Sequence, residues 1–190
     1  DEVVNDSDFI FLSVPTPANL DGSVNLDIVD EALSSVNDII INKDNIILLR
    51  STMTPGSTAK FQEKYPQLRL VFNPEFLTER SANFDFINQS RYILGGEPEH
   101  TTKVAEMYRW RFGKSISVIE TNTATAELIK YMNNCFFATK VSFMNEMKLV
   151  SDTCGADWDT AVDGFIRDGR IGHSHLNVPG HDGKLGFGGV

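Results

Sequence analysis

The stretch DFIFLSVPTP, residues Asp8–Pro17, decides the fold because an almost continuous apolar run ends in a proline-rich turn. A parallel strand that is buried on both faces has this composition. The segments that follow alternate in type: NLDIVDEALSSVNDIII has the apolar spacing of one helical face, NIILLR predicts a strand, GSTAKFQEKYP a helix and LRLVFNP a strand. Strands and helices in this order predict an α/β fold with a doubly wound parallel sheet.

The second half of the sequence adds two short strands and a long helix. RYILGG and SISVIE predict strands, and PEHTTKVAEMYRWRF predicts a helix that Pro98 can begin. Residues 122–154 contain neither proline nor glycine, which predicts one helix of about 30 residues and about 45 Å. A helix of this length indicates a connection between two domains or a dimer contact.

Composition excludes several kinds of partner. The chain has 190 residues, of which 41% are hydrophobic, and a formal net charge of −9 without a basic cluster. Nucleic acid and anionic membrane surfaces would be repelled by this charge. No apolar run approaches the roughly 20 residues that span a bilayer, so the cytoplasm is the expected location. Cys135 and Cys154 lie far apart and form no zinc-binding pattern; we interpret both as core thiols.

Two segments carry candidate chemistry at the ends of predicted strands. The loop STMTPGST, residues Ser51–Thr58, offers hydroxyl and N–H groups for a phosphate or a nicotinamide amide. The alternative is simple capping of the next helix by Ser57 and Thr58. In NPEFLTER, Glu75 and Glu79 lie four residues apart and suit acid–base chemistry, although exposed acids on a surface turn would look the same.

The long helix carries a third candidate. Lys130 and Asn134 share one face through their four-residue spacing. An ammonium group beside an amide can stabilise an oxygen that becomes negative, since both groups donate hydrogen bonds. A solvated helix face is the alternative.

The order of these motifs is specific. VPTP, STMTPGST, NPEFLTERSA, RYILGG, AELIKYMNNCFFATKVSFMNEM, DGRIG and PGHDGKLGFGG occur in succession over the whole chain, which resembles the UDP-glucose 6-dehydrogenase family and its GDP-mannose and UDP-N-acetylmannosamine relatives. The resemblance implies the second half of a Rossmann-like parallel sheet, followed by a long central helix and an α-helical dimerisation region. No G-x-G-x-x-G follows an opening strand, so the first half of that sheet is expected to be absent.

The resemblance also implies a division of the chain and a reaction. Residues 1–120 would form a partial NAD-binding domain, and residues 121–190 a helical region for dimerisation and substrate binding. The family oxidises the C6 alcohol of a nucleotide sugar to a carboxylate in two hydride transfers to NAD, through a thioester on a catalytic cysteine. The last residues, KLGFGGV, match the loop that precedes this cysteine, so we expect the cysteine to follow Val190.

Site residues follow from the same motifs. The resemblance implies NAD contacts from Val14, Thr16, Ser51, Thr52 and Glu79. It makes Glu75 the base for thioester hydrolysis, Lys130 and Asn134 the oxyanion-stabilising pair, and Thr52 a neighbour of the catalytic water. The implied substrate contacts are Glu75, Phe76, Leu77, Glu79, Lys130, Asn134, Gly186, Phe187 and Gly188, together with Arg170, which would reach the nucleotide sugar of a partner subunit.

Three functional alternatives stay open at this point. The loop VPGHDGKLGFGG favours UDP-glucose as the substrate, while GDP-mannose and UDP-N-acetylmannosamine are the alternatives. A chain that lacks the glycine fingerprint and the nucleophile is expected to be inactive alone. A non-catalytic module that dimerises through the long helix and holds a nucleotide sugar is the alternative to an enzyme.

Overall fold

The computed structural model describes residues 2–41, 44–77, 81–180 and 183–185. It divides into two compact units, Asp1–Tyr131 and Met132–Val190, which are described separately below.

The first unit contains five strands and six helices among the described residues, the last helix continuing into the second unit. In chain order the elements are α1 (Glu2–Asn5), β1 (Phe9–Leu12), α2 (Asp27–Ile39), β2 (Ile46–Leu49), α3 (Ser57–Lys64), β3 (Arg69–Phe72), α4 (Ala82–Asn88), β4 (Tyr92–Gly95), α5 (Pro98–Phe112), β5 (Val118–Thr121) and α6 (Thr123–Cys154). All five predicted strands and the predicted long helix are therefore present.

The strands form one sheet in the order β1-β2-β3-β4-β5. The first three are parallel, β4 runs antiparallel to β3, and β5 is parallel to β4, so the sheet is not parallel throughout. The connection from β3 to β4 explains the reversal. Among its described residues this connection forms the short helix α4, whose Phe86 packs edge-on against Tyr92 at the start of β4, with ring centroids 6.3 Å apart.

Alternate residues of β2, an interior strand of the sheet, face two separate cores. Ile47 and Leu49 of β2 belong to a cluster with residues of α2, α3 and the start of α6, whereas Ile46 and Leu48 pack with residues of α5. All four side chains are essentially inaccessible to solvent. Each contributes about 1.5–3 kcal/mol through burial, which explains why this strand reads as an unbroken apolar run.

Local signals determine the ends of α6. The Asn122 side chain accepts a hydrogen bond from the Thr125 amide at 2.8 Å and caps the first turn. At the other end Gly155 has a φ of 70°, and the Ala156 amide donates to the Ser151 carbonyl at 3.0 Å. Glycine adopts this conformation without steric cost, so it ends the helix where the sequence predicted.

The second unit contains the rest of α6, then α7 (Trp158–Ile166) and a loop. The Lys140 ammonium donates to the carbonyls of Gly172 and Ser174 at 2.9 and 2.6 Å, which attaches the loop to α6. Cys135 and Cys154 are both exposed, so their interpretation as core thiols is wrong. Within the part of the chain that the structure describes, no helix combines the length and apolarity needed to cross a membrane.

Candidate active site

The carboxyl ends of β1 and β2 are joined by side-chain hydroxyl groups. Ser51 donates to the Val14 carbonyl at 2.6 Å and accepts from the Val14 amide at 3.2 Å, and Thr16 donates to the Thr52 carbonyl at 2.9 Å. The Thr52 hydroxyl is half-buried and makes no hydrogen bond to any described residue. Of these four predicted cofactor residues, Thr52 therefore presents the group most available to a ligand.

A buried guanidinium group, that of Arg50, forms hydrogen bonds to the residues that follow β3. Arg50, the residue after β2, donates from Nε to the Glu75 carboxylate at 2.6 Å and from Nη1 to Asn73 at 2.6 Å and Tyr108 at 3.2 Å. The Arg50 side chain is only 4% exposed, whereas that of Glu75 is 35% exposed. The ion pair therefore orients the Glu75 carboxylate at the border between the protein interior and solvent.

Tyr108 and Asn73 complete this network. The Tyr108 hydroxyl donates to Asn73 Oδ1 at 2.5 Å, and the Asn73 amide donates to the Ile93 carbonyl at 2.9 Å. Burial raises the pKa of Tyr108 to about 12, so this hydroxyl stays protonated and keeps its role as a donor. The network connects the ends of β2 and β3 with β4 and α5 and holds Arg50 in one position.

Lys130 reaches the same loop from α6. Its ammonium group donates to the Glu75 carbonyl at 2.5 Å and lies 5.3 Å from the centroid of the Phe76 ring. Burial lowers the pKa of Lys130, while the negative charge of Glu75 acts in the opposite direction. Two residues predicted separately, 55 positions apart, are thus in direct contact.

A groove opens beside Glu75. It has a volume of about 680 Å³, and its lining includes Arg50, Glu75, Leu77 and Phe86. Three charged residues, Arg50, Glu75 and Arg111, lie among largely apolar and aromatic side chains, an arrangement common in small-molecule sites. Leu77 is therefore at a predicted substrate position that faces open space.

The start of α3 differs from both sequence interpretations. The Gly56 and Thr58 amides donate to the Glu127 carboxylate at 2.5 and 2.7 Å, and the Thr58 hydroxyl donates at 2.6 Å. The cap residue is Gly56, and no side chain of Ser57 or Thr58 caps the helix. Because a carboxylate from α6 occupies these donors, the Gly56 and Thr58 amides are not free to bind a phosphate, while the expectation for the rest of the loop of residues 51–58 stays a prediction.

The remaining predicted residues belong to the second unit or to the residues that the structure does not describe. Asn134 follows Lys130 on α6 but belongs to the second unit. Arg170 is also in the second unit, where its guanidinium pairs with Asp168 at 2.5 Å and its side chain is 88% exposed. Glu79 and the glycine loop of Gly186, Phe187 and Gly188 lie outside the described residues.

These contacts fit one part of a dinucleotide. The Thr16 and Thr52 hydroxyls at the strand ends suit the uncharged amide and ribose groups of NAD. A pyrophosphate does not fit the start of α3, because the Glu127 carboxylate already accepts the hydrogen bonds there and would repel it. Other groups must therefore hold the pyrophosphate.

The sequence patterns did not indicate three residues that hold the site together. Arg50 and Glu127 each stand as a charged residue beside apolar neighbours, at the end of LLR and within AELI, and Tyr108 lies in a helix rich in polar residues. The isolated charge in an apolar segment was the available signal for the first two, since a buried charge requires a partner. Tyr108 carried no such signal.

Comparison with known proteins defines the family to which the chain belongs. Residues 1–111 match the NAD-binding domain of the UDP-glucose/GDP-mannose dehydrogenase family, and residues 124–190 match its central domain. The Rossmann-like sheet with polar strand ends thus corresponds to the NAD-binding domain of a dehydrogenase family. More narrowly, the chain belongs to the UDP-glucose/GDP-mannose dehydrogenase family, a family of nucleotide-sugar dehydrogenases, and NAD is the cofactor that this assignment supports.

Individual relatives agree with this assignment. The chain is 38% identical to uncharacterized protein MJ1054 of Methanocaldococcus jannaschii, over 98% of this chain and 21% of the relative. It is 34% identical to UDP-glucose 6-dehydrogenase of Rickettsia bellii, over 96% of this chain and 43% of the relative. The solved structure of a UDP-glucose dehydrogenase from Pyrobaculum islandicum superimposes with a TM-score of 0.80 at 27% identity, over 92% of this chain and 42% of that one. The chain thus spans less than half of these relatives.

Proposed function

We propose that this chain provides part of an enzyme that oxidises the C6 alcohol of UDP-glucose to the carboxylate of UDP-glucuronate. The proposal depends mainly on one observation, the contact of the Lys130 ammonium with the Glu75 carbonyl at 2.5 Å. It brings a cation suited to a developing oxyanion next to a carboxylate suited to proton transfer. The family assignment and the UDP-glucose 6-dehydrogenase relatives support the substrate class.

Lys130 acts on the oxygen that is bonded to the sugar C6. When a cysteine thiolate adds to the C6 aldehyde, that oxygen becomes negative, and a hydrogen bond from the ammonium group stabilises it. Asn134, one helical turn further along α6, would donate a second hydrogen bond. NAD accepts the hydride in each oxidation when it is bound.

Glu75 acts later, when the thioester is hydrolysed. Arg50 occupies one oxygen of its carboxylate and holds the side chain in place, so the other oxygen can accept a proton from a water molecule. The partial exposure of Glu75 gives that water access. Thr52 and Glu79 remain proposed neighbours of the cofactor and of this water.

The nucleophile must be a thiol other than those in this chain. Cys135 lies five positions after Lys130, about 140° further around α6. Cys154 is at the far end of the same helix, 24 positions after Lys130. Neither cysteine of this chain is therefore proposed as the nucleophile.

A chimera tests the proposed function directly. Residues 1–190 would replace the matching segment of the Rickettsia bellii enzyme, and NADH formation would be measured with UDP-glucose, GDP-mannose and UDP-N-acetylmannosamine. We expect two NADH per UDP-glucose and little turnover of the other sugars. Preference for another sugar would overturn the substrate, and sugar binding without any NADH would favour a non-catalytic module.

The chain alone is the control for this experiment. We expect no NADH above the level of a protein-free sample, because no described residue of the chain is proposed to anchor the pyrophosphate or to act as the nucleophile. Steady NADH production by the purified chain would contradict this expectation.

We also propose a homodimer through α6. Phe136, Phe143 and Met147 on this helix are 61%, 48% and 38% exposed within the single chain. Aromatic and methionine side chains are enriched at such interfaces, and a second copy would cover them. Light scattering at micromolar concentration should give the mass of two chains, whereas a monomer with an intact helix would refute the dimer. The cytoplasmic location stays a prediction.

A further inference from the structure

We propose that Glu127 is a positioning residue that sets the place of Lys130 by anchoring α6 to the start of α3. The anchor itself depends only on contacts within the first unit. Its consequence for catalysis rests on the function proposed for Lys130 above.

The contacts of Glu127 are those of a dedicated anchor. Its side chain is completely buried, and its two oxygens accept three hydrogen bonds, from the Gly56 amide, the Thr58 amide and the Thr58 hydroxyl. An ionised carboxylate has only acceptors and therefore matches a set that consists only of donors. The positive end of the α3 dipole adds to the attraction.

A second contact fixes the same turn of α6. A Cβ atom added at Gly95 would lie 2.5 Å from the Ala126 Cβ, so the helix backbone packs directly on the end of β4. Ala126 is completely buried as well. Two consecutive residues, Ala126 and Glu127, thus fix both the distance of α6 from the sheet and its rotation about its own axis.

Lys130 follows one turn later. It lies three positions after Glu127, which is about 4.5 Å along the helix axis on nearly the same side. A small rotation of α6 at Glu127 would move the ammonium group away from the Glu75 carbonyl, since their hydrogen bond is 2.5 Å long. The orientation of Lys130 is therefore determined at Glu127.

The anchor also connects two parts of the site. The loop that begins α3 includes Thr52, four residues before Gly56. Glu127 therefore links the loop proposed to contact NAD to the helix that carries the proposed oxyanion-stabilising group. Loss of this link would disturb both, without removing any group that touches substrate.

Hydrogen exchange of the full 190-residue chain, without ligand, tests the anchor. In Glu127→Gln an NH₂ group faces N–H donors, and the negative charge is lost. We expect the Gly56 and Thr58 amides to exchange about 10–100 times faster, as loss of a hydrogen bond to a charged group predicts. The rate of amine labelling at Lys130 should rise several-fold, while amides in β2 keep their protection.

Two further variants separate positioning from general stability. Glu120→Gln is the control for the change of charge, because the Glu120 carboxylate accepts from the Thr101 and Thr102 hydroxyls and pairs with Arg109, none of which belongs to α3. It should leave Lys130 labelling unchanged. If Glu127→Gln does not fold, Thr58→Val removes one of the three hydrogen bonds with little change of shape and should raise exchange at the same amides by a smaller factor.

Two results would overturn the proposal. One is exchange that rises uniformly over the sheet at unchanged Lys130 labelling, which indicates only a loss of stability. The other is Lys130 labelling that responds equally to Glu120→Gln. Neither readout needs NAD or a sugar, so failure of the anchor is distinguishable from failure of the proposed function.

Discussion

Replacing Arg50 with methionine and Glu75 with glutamine, singly and together, measures the ion pair at the centre of the site. Arg50→Met removes three hydrogen bonds of a charged donor, but the partly exposed Glu75 can be rehydrated and methionine fills part of the space. We expect a loss of about 3 kcal/mol in the free energy of unfolding. Glu75→Gln leaves the buried guanidinium without its counter-charge and should cost about as much.

The double variant provides the coupling energy. With both charges removed, the cost of an unpaired buried charge disappears, so we expect a total loss of about 4 kcal/mol rather than the sum of the single losses. The coupling is then about 2 kcal/mol. Urea unfolding followed by circular dichroism measures each value, provided that the free energy of unfolding depends on urea concentration with the same slope in every variant.

The surface ion pair of Lys64 and Asp30 is the control. Its partners are 55% and 34% exposed, so the corresponding double-mutant cycle should give less than about 1 kcal/mol. If the coupling of Arg50 with Glu75 is no larger than this, the guanidinium does not hold the Glu75 carboxylate in the way the structure indicates. A folded Arg50→Met variant with unchanged stability would refute the reasoning outright.

The remaining predictions concern catalysis in the chimera and alkaline stability. Lys130→Ala should lower turnover about 10²–10³-fold, because an oxyanion donor is lost, and should leave nucleotide-sugar binding measured by calorimetry largely intact; equal losses in both would assign Lys130 to binding instead. Glu75→Gln should still form a first burst of NADH and then accumulate a sugar thioester, seen as added mass on the cysteine-bearing peptide; turnover at the parental rate, or loss of hydride transfer without an adduct, would shift the hydrolytic role to Glu79. For Tyr108, burial raises the pKa from 10.0 to about 12, so between these pH values the unfolded chain has lost a proton that the folded chain retains. The free energy of unfolding should therefore fall by about 2–3 kcal/mol over this range in the parent chain, and Tyr108→Phe, measured by urea unfolding at each pH, should lack this fall.

Much of the fold was readable from local patterns. Apolar runs such as DFIFLSV and NIILLR predicted buried strands, and the absence of proline and glycine between Asn122 and Cys154 predicted one long helix, which the structure confirms. These signals are local because strand burial and helix periodicity depend on neighbouring residues. The reversal of β4 was not predictable in this way, since strand direction depends on how the connection through α4 packs.

The candidate site shows the same division. The sequence by itself identified Glu75 and Lys130 as candidates for the proposed reaction, through residue type, spacing and family motifs. Only the tertiary structure showed which distant residues contact the site. Arg50 pairs with Glu75, 25 positions away, and Glu127 accepts a hydrogen bond from Thr58, 69 positions away. No local pattern specifies such partners, because a buried charge requires some partner but the packing of distant elements decides which one it finds.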